Sequence, residues 1–519
     1  MTQEELIEIP VSEYELLTHL IITNMQAKLT KSKEFTEEYC CSIVRVGALV
    51  PVENSDNLMK TTINGESIVV NKADVKEGDV MLYISNECKI SGWFLGANNL
   101  YRHHTLNANA AVVEEKIKAD PAFLKTEEAK AMVGYFEDNG RVRMIKLRGC
   151  PSFGVLFKPE SLERAVPPIA GCIDFEAAVG TDFDCIECDN AITWGGDKVL
   201  HFVRAYVPKR TQSRQPGQKG VSRWDIFDRM VPGQFKLHYD TALLKKHLMD
   251  FSKETEVTVT VKMHGTSFIC GNVLVNTPLR FFRFRRLLNK MLRLGIREFK
   301  QEYGMVVSSR KVIRNEWANC KHPEGYYGVD IWTEYGKIIY PYIPQGYTIY
   351  GEICGYLSGE TRMIQNGYDY GCKVGENFLM PYRVTKQEDG RMVDLCVEDV
   401  GHLTSQIIIQ MQAAGDVNAD RLLDIRKVSV FAGNVAGLVG HDGDISDFPE
   451  KLAEQGKIEN DEPLCKNKVP REGVVVRING DEIPEAFKLK SVRFLEREKT
   501  AIDKGEVDIE MQANNEEEI

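Results

Sequence analysis

The run Val257-Thr258-Val259-Thr260-Val261 is a β-run that stops at a charged residue and a glycine turn, Lys262-Met263-His264-Gly265. The pattern recurs down the chain. YTIYGEICG (347–355) carries Glu352 beside glycines, GVVVRI (473–478) opens just after Glu472, and AFKLK (486–490) carries Lys488 and Lys490. Short apolar runs of this kind read as strands. LTSQIIIQMQAAG and ADRLLDIRKVSVF read as helical stretches between them, and SVRFLEREKTAIDKGEVDIE as a final amphipathic helix. Strands alternating with helices predict a mixed α+β domain over 231–510.

A chain of 519 residues is too long for one average domain. Its 43% hydrophobic and 27% charged content excludes a disordered or membrane-embedded chain and leaves a globular one. No apolar run approaches the roughly 18–20 residues that span a bilayer. The opening MTQEELIEIPVSEYELL is acidic and lacks the basic-then-apolar layout of a signal peptide. Thirteen scattered cysteines, an odd number, suit reduced thiols better than a disulfide framework. A cytoplasmic protein with no membrane partner is the expectation.

Ahead of the α+β domain, residues 1–37 read as a helical lead. From 38 to 160 short β-runs follow one another, and Asn64-Gly65 between TTI and SIVV is a two-residue hairpin signal. This region is expected to be a small β-barrel. Residues 161–230 read as a connecting segment containing the linker-like PKRTQSRQPGQKG, and 511–519 as an acidic tail.

Chemistry concentrates on few residues. A lysine leaving a strand before a glycine turn is held in place with its amine reachable, and lysine amines act as covalent nucleophiles. Glu352 and Glu472 are carboxylates on or beside strands. Lys488 and Lys490, two residues apart, present both ammonium groups on one face. Taken singly, each signal is also that of an ordinary surface. Their order is more telling. Lys262, Gly-Glu352-Ile-Cys-Gly, Glu472-Gly-Val-Val and Lys488-Leu-Lys490 follow the order of motifs I, III, IV and V of the covalent nucleotidyltransferases, with Ser308-Ser309-Arg310-Lys311 resembling motif Ia between the first two.

Within that superfamily the chain resembles the Deinococcus-type ATP-dependent RNA ligases. Lys262-Met263-His264-Gly265-Thr266 resembles RNA ligases rather than the Lys-x-Asp-Gly of DNA ligases and capping enzymes. After Lys490 the chain has 519 − 490 = 29 residues, too few for a C-terminal OB domain, and the barrel region comes first instead. The likeness spans about 40–510 and includes NADVKEGDVMLYI, Leu237-His238-Tyr239-Asp240-Thr241 and GYDYGC (367–372).

The resemblance implies an N-terminal OB-type barrel followed by an ATP-grasp-like nucleotidyltransferase domain of antiparallel sheets and helices. It implies that Lys262 attacks ATP, forms lysyl-AMP, and passes AMP to the 5′-phosphate of RNA, which a 3′-hydroxyl then seals, as at a nick in a duplex. It further implies that Glu352 and Glu472 hold Mg²⁺ or Mn²⁺. Lys488 and Lys490 would grip the α-phosphate, Arg310 a phosphate, and His264 and Gly265 would line the nucleotide site. An aromatic on FLMPYRV, Phe378 or Tyr382, would stack on adenine, and His238 and Asp240 would stand near the nucleotide. A DNA ligase, a GTP-using capping enzyme, or a non-catalytic nucleic-acid-binding protein keeping the fold are the alternatives.

Two further features stand apart. The basic segment RFFRFRRLLNKMLRLGIREFK (280–300) runs against the net charge of −11, which itself weighs against a polyanion partner. It reads as a helical hairpin with its apolar side packed, its arginines facing RNA phosphate or a membrane surface. Cys185-Ile186-Glu187-Cys188 lacks a second ligand pair at zinc spacing.

Overall fold

The computed structural model describes residues 27–188, 199–207, 229–238, 241–314, 327–479 and 486–504. The helical reading of 1–26, the linker-like 208–220, Tyr239, Asp240 and the acidic tail lie outside these. The chain divides into two compact units, Met1–Tyr206 and Val207–Ile519. No helix among the described residues is long and apolar enough to cross a membrane.

The first unit is built from several small antiparallel sheets. One has the order Val155–Phe157, Val80–Ile84, Cys41–Arg45, Asp182–Phe183. A second joins Ala27–Thr30, Cys185–Cys188 and Val199–His201. Residues 27–30, read from sequence as helical, are therefore a strand. The hairpin at Asn64-Gly65 forms as expected: Ile63 faces Glu66, and both turn residues have positive φ (50° and 75°), as a type I′ turn requires.

The expected OB barrel is not seen. The strands are two to six residues long and spread over separate sheets, and among the described residues none closes into a barrel. Part of the predicted connecting segment belongs to this unit, because Asp182–Phe183 and Cys185–Cys188 pair with strands from its start. Ile43, Leu82, Phe94, Phe157, Phe183 and Phe202 fill the core. At its side Arg141 grips Glu87 through two hydrogen bonds of 2.7 and 2.8 Å, both side chains nearly fully buried.

The second unit holds two five-stranded sheets. In the first, β1 (Ala242–Leu243) lies parallel to β10 (Ala486–Lys490); β9 (Gly473–Ile478), β2 (Glu256–Lys262) and β8 (Ser429–Asn434) follow in antiparallel order. The second sheet is antiparallel throughout: β4 (Phe299–Ser308), β3 (Thr266–Pro278), β5 (Tyr347–Gly355), β6 (Asn377–Glu388) and β7 (Arg391–Asp394). Strand alternation divides the first sheet. Val257, Val259, Val474, Val476, Phe487 and Leu489 face a core that Phe448 and Leu452 of the helix Phe448–Gln455 complete. The second sheet packs Phe268, Ile349 and Leu379 against Trp332 and Tyr335 of the helix Ile331–Ile339 and Ile407 and Met411 of the helix Val397–Ala413. The stretch ADRLLDIRKVSVF, expected to be helical, instead makes two short 3₁₀ turns and enters β8.

Candidate active site

Lys262 is the last residue of β2, and Thr266 the first of β3, so only Met263-His264-Gly265 separate the two sheets. The lysine thus stands at their junction. Register on the first sheet sets Lys262 opposite Gly473, and Gly473 opposite Lys490. Two residues back, Thr260, Val475 and Lys488 share a row. Because strand side chains alternate, Lys262, Lys488 and Lys490 occupy the face turned away from the valine core.

Glu472 meets the lysine from the start of β9. Lys262 Nζ donates to its Oε1 at 2.7 Å; the carboxylate is 3% exposed and the lysine side chain 20%. Its other oxygen, Oε2, lies 3.4 Å from His264 Nδ1, within ion-pair reach but outside hydrogen-bond geometry. Burial alone would push this carboxyl up. Lys262, His264 and Lys490 together outweigh that and hold it below its ordinary value of 4.5. Glu472 is therefore ionised at neutral pH.

Two neighbours fix its position. Arg471 donates to Glu462 Oε2 at 2.8 Å and to the Gly456 carbonyl at 2.6 Å, an almost wholly buried pair one residue before Glu472. Ser491 N–H donates to the Glu472 carbonyl at 2.9 Å.

The turn after Lys262 is equally constrained. Gly265 N–H donates to Glu352 Oε1 at 3.1 Å, and Gln365 Nε2 donates to the Gly265 carbonyl at 2.9 Å. A Cβ at 265 would fall 2.3 Å from the Ile353 carbonyl oxygen and 2.8 Å from Cys354 Sγ, so only glycine fits without displacement. His264 N–H donates to the Tyr370 hydroxyl at 2.7 Å, and the imidazole meets Tyr368 and Phe494 edge to face at 4.9 Å each. Burial drives the Tyr370 hydroxyl well above its ordinary range, so it keeps its own proton while accepting that bond.

Of the residues singled out from sequence, Lys262, His264, Gly265, Glu352, Glu472 and Lys490 converge on this junction. Lys488 lies two residues away along β10. Arg310 sits in the turn after β4, its carbonyl accepting from His238 N–H at 3.3 Å. Phe378 is half-buried on β6 opposite Cys354, with its ring edge-on to Tyr370 at 6.3 Å. Tyr382 is the extra residue of a bulge, since Gly351 faces Pro381 and Tyr350 faces Arg383. Sequence reasoning missed Gln365 and Glu462 and gave Arg471 no part. It quoted GYDYGC without giving Tyr368 or Tyr370 a part.

No group of three or more His, Cys, Asp or Glu side chains among the described residues forms a ready metal cage. A Mg²⁺ ion that keeps most of its waters needs only one or two carboxylates. Glu472 suits that need: it is ionised, and its buried Oε2 has no hydrogen-bond partner among the described residues.

No family model and no curated protein matches the chain. Among solved structures it is similar to a Naegleria gruberi RNA ligase. The form with PPi gives a TM-score of 0.47 at 14% identity, covering 89% of this chain and 98% of that one. A variant of the same ligase with ATP and Mn gives 0.47 at 15% identity, covering 91% and 99%. Another variant, with AMP and Mn, gives 0.45 at 14% identity, covering 88% and 98%.

Proposed function

We propose that this chain is an ATP-dependent RNA ligase with Lys262 as its nucleophile. The observation that carries the reading is the 2.7 Å contact between Lys262 Nζ and Glu472 Oε1, which joins two motifs 210 residues apart (472 − 262) at one sheet junction. With His264, Lys490 and the Glu352-bound turn around it, this is a charge-rich site with a partly exposed lysine amine beside a buried carboxylate.

The chemistry follows from the charges. An amine attacks only when neutral, and an ionised Glu472 favours its protonated form. The ion pair is therefore a resting state, and attack requires Glu472 to release the amine. Glu472, with Glu352, would hold a divalent ion, which when bound supplies positive charge against the phosphates. Lys262 then forms an N–P bond to the α-phosphorus of ATP while the P–O bond to pyrophosphate breaks. Lys488 and Lys490, on the same sheet face, would neutralise charge developing on the α-phosphate. The AMP passes to a 5′-phosphate of RNA, and a 3′-hydroxyl displaces it to seal the strand, with a nicked duplex as the proposed substrate.

The test is incubation with α-labelled ATP and Mg²⁺ or Mn²⁺, followed by denaturation. Label should remain on the native chain and vanish from Lys262→Ala. No label on the native chain overturns the enzyme reading, and label persisting on the alanine variant moves the nucleophile elsewhere. Label from GTP rather than ATP would favour a capping-type reaction, and joining of nicked DNA alone would favour a DNA ligase.

A further inference from the structure

Sequence reasoning packs the apolar side of segment 280–300 against the protein; the structure turns it outward. The helix α1 (Phe282–Leu292) forms the tip of the hairpin β3–β4, and none of its residues is buried. Its polar side holds it down. Asn289 donates to the Ile296 carbonyl at 2.7 Å and to Glu298 Oε1 at 2.9 Å, and accepts from Ile296 N–H at 2.7 Å. Arg286 Nε donates to Glu298 Oε2 at 3.2 Å. At about 100° per residue, Phe284, Leu287 and Met291 lie on the opposite side. They are 60%, 38% and 68% exposed, and Leu292 and Leu294 at the helix end are exposed too.

A helix of a globular protein normally turns such a stripe to the core, so this one awaits an apolar surface. Charge narrows what that surface is. Segment 280–300 holds eight arginines and lysines against one carboxylate, in a chain whose net charge is −11. A second copy of the helix would set cations against cations. An RNA backbone would attract the positive charge and leave the stripe in water. A bilayer of anionic phospholipid suits both features: its headgroups attract the segment's net positive charge, and the acyl boundary takes Phe284, Leu287 and Met291. The site is also remote. β3 runs thirteen residues, Thr266–Pro278, about 40 Å at strand rise, so a docked tip leaves Lys262 clear.

We propose that α1 is an interfacial anchor for an anionic phospholipid surface, contrary to the expectation of no membrane partner. The experiment is co-sedimentation of the full chain with phosphatidylcholine–phosphatidylserine vesicles and with phosphatidylcholine alone. The native chain should prefer the anionic vesicles by about tenfold or more. Phe284→Ser with Met291→Ser should weaken that binding by about tenfold or more. Arg283→Gln with Lys290→Gln should weaken it and flatten its salt dependence. Thermal melts should match the native chain in both variants, excluding misfolding. Three results overturn the proposal: no binding to anionic vesicles, serine variants that bind them undiminished, or variants that lose duplex RNA while keeping vesicles. Vesicle binding needs no ATP, so its outcome stands apart from that of lysine labelling.

Discussion

Glu472 is a buried carboxylate whose folded state binds its proton less readily than its unfolded state. Burial opposes ionisation, yet Lys262, His264 and Lys490 hold the folded value below 4.5. Between the two values the unfolded chain therefore takes up more protons than the folded one, and stability falls as pH falls. The contribution is complete above the ordinary carboxylate range and disappears as pH drops through the lower, folded value. Glu472→Gln removes this dependence. Urea unfolding below pH 5 should show a shallower loss of stability with acid for Glu472→Gln than for the native chain, and identical slopes would mean that the shift is absent. The same substitution keeps the shape but removes the carboxylate proposed to hold the divalent ion, a loss that outweighs easier deprotonation of Lys262, so lysine labelling should fall by about a hundredfold or more. At this scale much was legible in the sequence. Lys262, Glu352, Glu472 and Lys490 could be singled out because each motif is a short local string. Gln365, Glu462 and Tyr370 could not, because their partners lie at Gly265, Arg471 and His264, and two of those three contacts span about a hundred residues.

At the scale of elements, the site depends on how tightly β5 presses on the turn between β2 and β3. Gly265→Ala tests that contact. Its Cβ would meet the Ile353 carbonyl at 2.3 Å and Glu352 Cγ at 3.0 Å, one of them backbone and neither able to swing away freely. The turn must move, costing about 1–3 kcal/mol, and Glu352 loses its hold on the 265 N–H. Lysine labelling should drop far more than the melting temperature does. Full labelling of Gly265→Ala would mean that the turn has no part in the chemistry. The strands framing this turn were readable from β-runs and charged positions. The first unit's sheets were not. Cys41–Arg45 pairs with Asp182–Phe183, some 140 residues onward, and period-two patterning identifies strands without identifying partners. Segment 280–300 failed for another reason: its amphipathic pattern specifies a stripe, while the side that packs was decided by Asn289 and Arg286 reaching Glu298.

Across the whole molecule, the residues proposed for catalysis all fall in Val207–Ile519, and each unit has its own apolar core. Two such units are expected to unfold as separate cooperative blocks. The Arg141–Glu87 pair offers a lever on one of them. Both side chains are under a tenth exposed, so Glu87→Ala leaves a buried guanidinium with its main counter-charge gone, a loss of about 3–5 kcal/mol. Calorimetry of the full chain should then show one transition moved to lower temperature and a second unchanged. Lysine labelling measured below the lowered transition should equal that of the native chain, because the residues proposed for the reaction all belong to the second unit. Strand joining is the stricter comparison. If it falls while labelling holds, the first unit serves the nucleic acid rather than ATP. If both transitions move together, the two units share their stability and the division of labour between them is wrong.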